Sequence, residues 1–181
     1  MKPIVTPGFT LEPQVAAHAE EMFAVLGDPA IYEYENKAPS SVDWLRARFT
    51  RLEARQSPDG AQQWLNWVIR LPKSELAGYV QATVRADGIA AIAYVLASRF
   101  WGRGLASQAV QAMLDELAQH HGVHTFSAVF KRENRRSQRL LERLGFELAA
   151  QQQWDGPEVE PDEWRMELLA SRRLGSAGPR V

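Results

Sequence analysis

"YVLASRFWGRGLASQAV", Tyr94 to Val110, joins an apolar run to a helix-like repeat through a turn that carries Arg99, Gly102, Arg103 and Gly104. Glycine at a strand-to-helix turn serves one of two ends. It supplies a positive φ or close packing, or it lets bare backbone N–H groups at the helix start approach an anion with no Cβ in the way. The surrounding pattern bears on the choice. Downstream, Leu105, Ala109, Val110, Met113, Leu114 and Leu117 stripe a long helix that ends at Gly122, and "VHTFSAVF" (Val123 to Phe130) reads as the next strand. A helix between two strands is the crossover of a parallel pair.

Upstream, the apolar period is two. Leu65, Trp67, Ile69 and Leu71 alternate with Trp64, Asn66, Val68 and Arg70 from Gln63 onward, which predicts a strand. Leu76 to Val84 is a second, and Asp87-Gly88 is a hairpin signal before a third, Ile89 to Leu96. Nearer the N-terminus, Gly8 to Glu12 reads as a first strand. Pro13 then opens a helix striped by Val15, Ala19, Met22, Phe23 and Leu26, stopped at Gly27 and Asp28-Pro29. Ser40 to Asp43 forms a capping box for a helix striped by Val42, Leu45, Phe49 and Leu52. Beyond the crossover, "NRRSQRLLERLGF" (Asn134 to Phe146) is a short helix, and Phe146 to Trp154 and Glu163 to Leu169 are closing strands. There is no internal repeat. Residues 1–170 are expected to form one domain, and the tail 171–181, which lacks an apolar stripe, to be disordered.

Composition agrees with one well-buried core: 181 residues, 45% hydrophobic and 9% aromatic. A formal net charge of -1 gives no global basic field of the kind that binds nucleic acid. The absence of cysteine removes disulfides, thiolate metal sites and cysteine nucleophiles. "MKPIVTPGFTLEP" holds no signal-like apolar run, and no window approaches the about 20 apolar residues of a membrane span. A soluble, cytoplasmic protein is expected. His18, His120, His121 and His124 show no metal-ligand spacing, so no metal is implied.

Two phosphate motifs fail at the turn. A Walker loop needs Lys followed by Ser or Thr after its last glycine, where Leu105-Ala106 stands. A Rossmann fingerprint needs Gly or Ala where Ser107 stands. The second cluster favours the anion reading. Asn134 is a helix N-cap with Ser137 at N3, and Leu140, Leu141 and Leu144 form the buried face before Gly145. Each cluster follows one strand of the parallel pair, so both helix starts open at the same sheet edge, where ligands bind.

Arg99-Phe100-Trp101-Gly102-Arg103-Gly104 resembles the Q/R-x-x-G-x-G/A signature of the GNAT superfamily of acyl-CoA-dependent N-acetyltransferases, and Asn134-x-x-Ser137 with Leu144-Gly145-Phe146 resembles its second half. The chain looks most like the branch of ribosomal-protein N-terminal acetyltransferases. The resemblance implies a single-domain α/β GNAT fold, a mixed, mostly antiparallel sheet of about seven strands with about four helices. It further implies acetyl-CoA as co-substrate. Its pyrophosphate would lie on the backbone amides of Gly102, Arg103, Gly104, Leu105 and Ala106, with Arg99 at the signature's first place. Tyr94, Val95 and Leu96 would pair with the pantetheine as an added strand, and Asn134 would border the cofactor. Gln108 stands where the branch often carries Glu, so no role of that acid carries over.

Acetylating an amine requires a neutral amine, stabilisation of charge at the thioester oxygen, and a proton for the leaving thiolate. A lysine-like amine has a pKa of about 10.4, so something must accept a proton near pH 7. By resemblance, a bulged strand presents a backbone N–H near Leu96 as oxyanion donor, and Ser137, or Tyr94 if it faces the cleft, serves the thiolate. Glu33, Glu35, Glu75 and Glu163 are candidate bases, alongside a water relay. Pro3 to Asn36 holds Glu12, Glu20, Glu21, Asp28, Glu33 and Glu35 with no Lys or Arg, whereas Lys131 to Arg143 is basic. The expected function is therefore acetyl transfer to a primary amine, a protein N-terminus or small molecule, by direct attack in a ternary complex. The enzyme would be a monomer or homodimer, with neither nucleic acid nor membrane as partner. The competing expectation is a GNAT-fold acyl-CoA-binding protein without turnover, a sensor or interaction module.

Overall fold

The computed structural model describes residues 1–34, 37–149 and 159–174. Strands β1 (Ile4–Val5), β2 (Thr10–Pro13), β3 (Gln62–Arg70), β4 (Leu76–Arg85), β5 (Ile89–Leu96), β6 (Thr125–Lys131), β7 (Glu147–Leu148) and β8 (Glu163–Leu169) form one sheet in the order β1-β2-β3-β4-β5-β6-β8-β7. All neighbours are antiparallel except β5 and β6. Helices α1 (Ala19–Val25) and α2 (Val42–Leu52) precede the long hairpins. α3 (Leu105–His120) is the crossover between β5 and β6, α4 (Arg135–Arg143) leaves β6, and α5 (Ala170–Leu174) follows β8. This is the α/β arrangement expected, with eight strands rather than about seven.

The hydrophobic pattern explains the layering, with one revision. Leu65 to Ile69 are all buried, so β3 has apolar packing on both faces and only its ends alternate. Asn66 and Val68 on its second face are buried, and α1 packs on the neighbouring β4 and on α2. The Asn66 main-chain carbonyl accepts the Gln14 N–H there at 2.9 Å. Trp67 and Phe126 are the bulkiest of the fully buried core side chains, where truncation to Ala costs about 3–5 kcal/mol.

Four local expectations are corrected. Pro13 ends β2 instead of opening a helix. β1 reaches only Thr10 and Leu11, so at Pro13 the strand is an edge and a missing N–H is tolerated. The chain then makes a 3-10 turn, Ala16–His18, before α1. α2 is capped by Ser41, whose Oγ accepts the Trp44 N–H at 3.0 Å, while Asp43 pairs with Arg46, so the Ser40–Asp43 box does not form. Of the strand expected from Phe146 to Trp154, Glu147–Leu148 forms β7 and the Ala149 N–H continues the pairing to the Arg165 carbonyl at 3.0 Å, while Ala150 to Trp154 lie outside the described residues. Residues 171–174, expected in a disordered tail, are helical in α5, and 175–181 lie outside the described residues.

Candidate active site

The site arises because the parallel pair comes apart. β5 and β6 are in register only at Ile89–Ala91 against Thr125–Ser127, whereas β6 is paired along its whole length with β8. The rest of β5 has lost its neighbour, and a wedge opens beside Tyr94, Val95 and Leu96. The hydrogen-bond pattern determines what the wedge presents. Ala97 N–H donates to the Ala77 carbonyl at 3.0 Å, and Gly78 stands opposite Leu96. Gly78 and Leu96 are therefore a pair without mutual bonds, and such pairs alternate with bonded ones along an antiparallel ladder. The N–H and C=O of Leu96, and of Tyr94 two residues earlier, point away from β4 into the wedge. Trp101 Nε1–H takes the Leu96 carbonyl at 2.9 Å. The backbone of Val95 faces Tyr79 instead, so Val95 adds only wall.

A bulge is present, but not in β5 where it was expected. The β4–β5 register runs without a break from Gly78–Leu96 to Val84–Ala90. The shift lies between β3 and β4, where Ile69 faces Gly78 and Arg70 faces Leu76, leaving Ala77 as the extra residue. The bulge presses β4 against β5: a Cβ on Gly78 would lie 1.9 Å from the Val95 carbonyl oxygen.

The glycine turn closes the far end. Gly102 and Gly104 have φ of 74° and 76°, a left-handed conformation costly for other residues. Gly104 is the N-cap of α3 and provides no capping side chain; the first helical bond runs from Gln108 N–H to the Gly104 carbonyl at 3.1 Å. The N–H groups of Leu105, Ala106 and Ser107 thus have no partner within the helix. A Cβ at Gly102 would meet nothing within 4 Å, and one at Gly104 only Gln108 Nε2 at 3.5 Å. The turn needs glycine for its φ, and it also leaves open space above bare N–H groups.

α4 forms the opposite wall. Asn134 Oδ1 accepts the Ser137 N–H at 3.1 Å, the expected N-cap. Wedge, glycine turn and α4 enclose one cleft of about 1060 Å³. Tyr94, Val95, Leu96, Gly102, Gly104, Leu105, Ala106, Asn134 and Ser137 all line it. Tyr94 does face the cleft. Its hydroxyl is buried, with the Ser137 hydroxyl as its polar neighbour. Burial pushes its pKa up to about 12, against the lowering influence of the neighbouring Ser137 hydroxyl and the Arg143 charge.

Arg99 and Arg103 do not line the cleft. The Arg99 guanidinium lies over the Phe100 ring and pairs with Glu75 at 3.6 Å. Glu163 is held by Lys131 at 3.1 Å and Glu33 by Arg136 at 3.4 Å; Glu35 lies outside the described residues. Of the described candidate bases, Glu33 alone has a partner in the cleft wall. The acidic stretch is not a continuous free face either, since Glu12 and Glu21 bind Arg70. Asp28 Oδ2 accepts the Ser98 N–H at 2.6 Å, and the Ser98 hydroxyl, followed by this N–H, holds the Asp28 carboxyl below its usual range. The loop after α1 also contributes Ala30, Ile31 and Tyr34 to the wall, and α4 contributes Arg136, Arg139 and Arg143, none of them singled out individually in the sequence as a site residue. The basic bias of α4 was the available signal. Among the described residues, no group of three or more His, Cys, Asp or Glu is placed to hold a metal ion, and no helix is long and apolar enough to cross a membrane.

Comparison with known proteins agrees with this geometry. The model of the acetyltransferase (GNAT) domain matches residues 9–147. No curated protein matches the chain. A RimL ribosomal L7/L12 alpha-N-protein acetyltransferase solved with coenzyme A superposes with a TM-score of 0.77 at 18% identity, over 92% of this chain and 97% of that one. A ribosomal-protein-S5-alanine acetyltransferase from Vibrio fischeri gives 0.75 at 16% identity, over 92% and 96%. A spermidine N-acetyltransferase SpeG chimera from Vibrio cholerae and hSSAT gives 0.72 at 20%, over 92% and 98%. At these identities the likeness is one of fold. The RimL structure carries a disulfide between coenzyme A and a cysteine, a link this cysteine-free chain has no residue to form. The family model covers the wedge, the glycine turn and α4 together, and the chain belongs to the GNAT acetyltransferase family.

Proposed function

We infer that the protein transfers the acetyl group of acetyl-CoA to a primary amine by direct attack in a ternary complex. One observation carries this reading: an unpaired strand edge, a glycine-cradled helix start and a buried tyrosine hydroxyl beside Ser137 meet in a single cleft. The cleft suits the cofactor in size, at the upper end of the about 300–1,000 Å³ of small-molecule sites. The space a Cβ would fill at Gly102 and Gly104 admits an anion.

When bound, acetyl-CoA supplies an activated thioester. The amides of Gly102, Arg103, Gly104, Leu105 and Ala106 hold its pyrophosphate, aided by the α3 dipole, which contributes about 0.3–1 kcal/mol at an exposed site. The backbone groups of Tyr94 bind the pantetheine as a neighbouring strand would, and Asn134, its Oδ1 engaged in the cap, offers its amide N–H. The Leu96 N–H, which points into the wedge, would donate to a thioester oxygen bound there. Ser137 and Tyr94 hold protons for the departing thiolate; burial pushes the Tyr94 pKa up to about 12 and keeps its hydroxyl protonated near neutral pH. The amine enters past Ile31 and Tyr34. Its class covers a protein N-terminus and a small polyamine, the acceptors named for the ribosomal-protein and spermidine enzymes of similar fold.

The test follows free thiol from acetyl-CoA as N-terminal peptides, lysine and polyamines are added in turn. Amine-dependent release with at least one class is expected. Tight acetyl-CoA binding with no release from any of them would make the chain a binding module instead.

A further inference from the structure

The Arg136 guanidinium, at the start of α4, is held from two sides. The Trp101 ring lies 4.3 Å from it, and Glu33 Oε2 accepts from its Nη1 at 3.4 Å. The contacts join three parts of the chain: the loop after α1, the residue preceding Gly102, and α4. Trp101 is itself fixed by its bond to the Leu96 carbonyl, so Arg136 stands over the entrance to the glycine turn.

The two contacts differ in kind. Trp101 attracts the cation through the ring face and takes none of its N–H groups. Glu33 takes one, through a long bond between side chains 50% and 54% exposed. An exposed pair of that sort holds weakly. A pyrophosphate on the amides beyond Trp101 carries more charge than one carboxylate and accepts from a guanidinium in bidentate fashion. Competition for Arg136 therefore favours the phosphates.

Resting on the reading of the cleft as a coenzyme A site, we propose that the Glu33–Arg136 pair is an exchange switch: bound coenzyme A draws Arg136 to its phosphates, and the released Glu33 carboxylate becomes the anchor for a cationic amine. The cofactor then binds first, and Glu33 is a specificity residue that is masked until it has. The loop stays at the cleft when the pair opens because Asp28 ties it to Ser98. Trp101 guides the movement, since Arg136 can slide across the ring face toward Gly102 without losing that contact.

The switch makes a prediction opposite in sign to that of a structural ion pair. In calorimetric titrations with coenzyme A, Glu33→Gln should bind about two- to fivefold more tightly than wild type, the range an exposed pair supports, because Arg136 no longer has a competitor. Arg136→Met should bind more weakly, and adding Glu33→Gln to it should change nothing. Unchanged or weakened binding in Glu33→Gln, or an equal gain in the Arg136→Met background, overturns the exchange. A wild-type protein that binds no coenzyme A overturns instead the reading of the cleft on which the exchange rests. With 1,4-diaminobutane as probe, wild-type affinity should rise at saturating coenzyme A, and the rise should vanish in Glu33→Gln. No difference in the wild type, including no binding in either condition, overturns the release of Glu33 as an anchor.

Discussion

Placing a carboxylate on the glycine turn separates anion binding from mere turn geometry. Gly104 tolerates a side chain sterically, since a Cβ there meets only the end of Gln108 at 3.5 Å. Its φ of 76° costs a non-glycine residue about 1–2 kcal/mol, less for Asn and Asp, which visit this region more readily than other residues. Gly104→Asn and Gly104→Asp share that cost and nearly share a shape; they differ by one charge. With the carboxylate about 6 Å from a bound phosphate, Coulomb's law at an effective dielectric of about 20–40 gives about 1.5–3 kcal/mol of repulsion per unit charge. Asp should therefore weaken coenzyme A binding about 10- to 100-fold relative to Asn. The assay is calorimetric titration of both variants at low salt, with thermal unfolding of the free proteins as the control for equal folding. The gap should narrow as salt rises. Equal affinities in two equally folded variants would refute the anion cradle and leave the glycine as a requirement of the turn alone.

Ser137→Ala should lower kcat at least tenfold with little change in acetyl-CoA affinity, as for an interaction that strengthens in the transition state; a wild-type kcat would return Ser137 to the role of a helix residue. Tyr94 has a folded pKa of about 12, above the unfolded tyrosine value of about 10, so its stabilising contribution is complete below about pH 10 and is lost as pH rises toward 12. Tyr79, also raised by burial, acts in the same sense, so denaturant unfolding of Tyr94→Phe should show a smaller, not absent, loss of stability over that window. Parallel profiles for the two proteins would contradict this. Gly78→Ala should destabilise the fold by about 3 kcal/mol or more, because its Cβ would sit 1.9 Å from backbone that cannot yield without parting β4 from β5. An unchanged melting temperature would show that the close approach is not a constraint.

What the sequence made legible is what short-range chemistry decides. The Asp87-Gly88 hairpin, the start of α3 at Leu105 and the Asn134 cap depend on residues within a few positions of one another, and each lies where its pattern placed it. β5 and β8 match their expected bounds, each opening directly after a turn, at Asp87-Gly88 and at Pro161-Asp162. Pro13 was misread because proline suits a helix start and a strand edge alike, and only the short reach of β1 distinguishes them. The wedge, the bulge at Ala77 and the outward aim of Tyr94 and Leu96 are matters of register between strands, which no local pattern encodes. The Glu33–Arg136 pair spans 103 positions and was out of reach for the same reason. Arg99 shows the converse: a motif position was legible, while its pairing with Glu75 outside the cleft was not.

The central claim is that the unpaired edge of β5 and the start of α3 together hold acetyl-CoA. Site-resolved amide hydrogen exchange, with and without acetyl-CoA, tests it most directly, because the N–H groups in question have no partner in the sheet or within the helix. The account predicts that the cofactor slows exchange at Tyr94 and Leu96 and at Gly102 through Ser107, while Val95, already facing Tyr79 in the ladder, changes little. Protection confined to other parts of the chain, or a uniform change with Val95 no different from its neighbours, would contradict it.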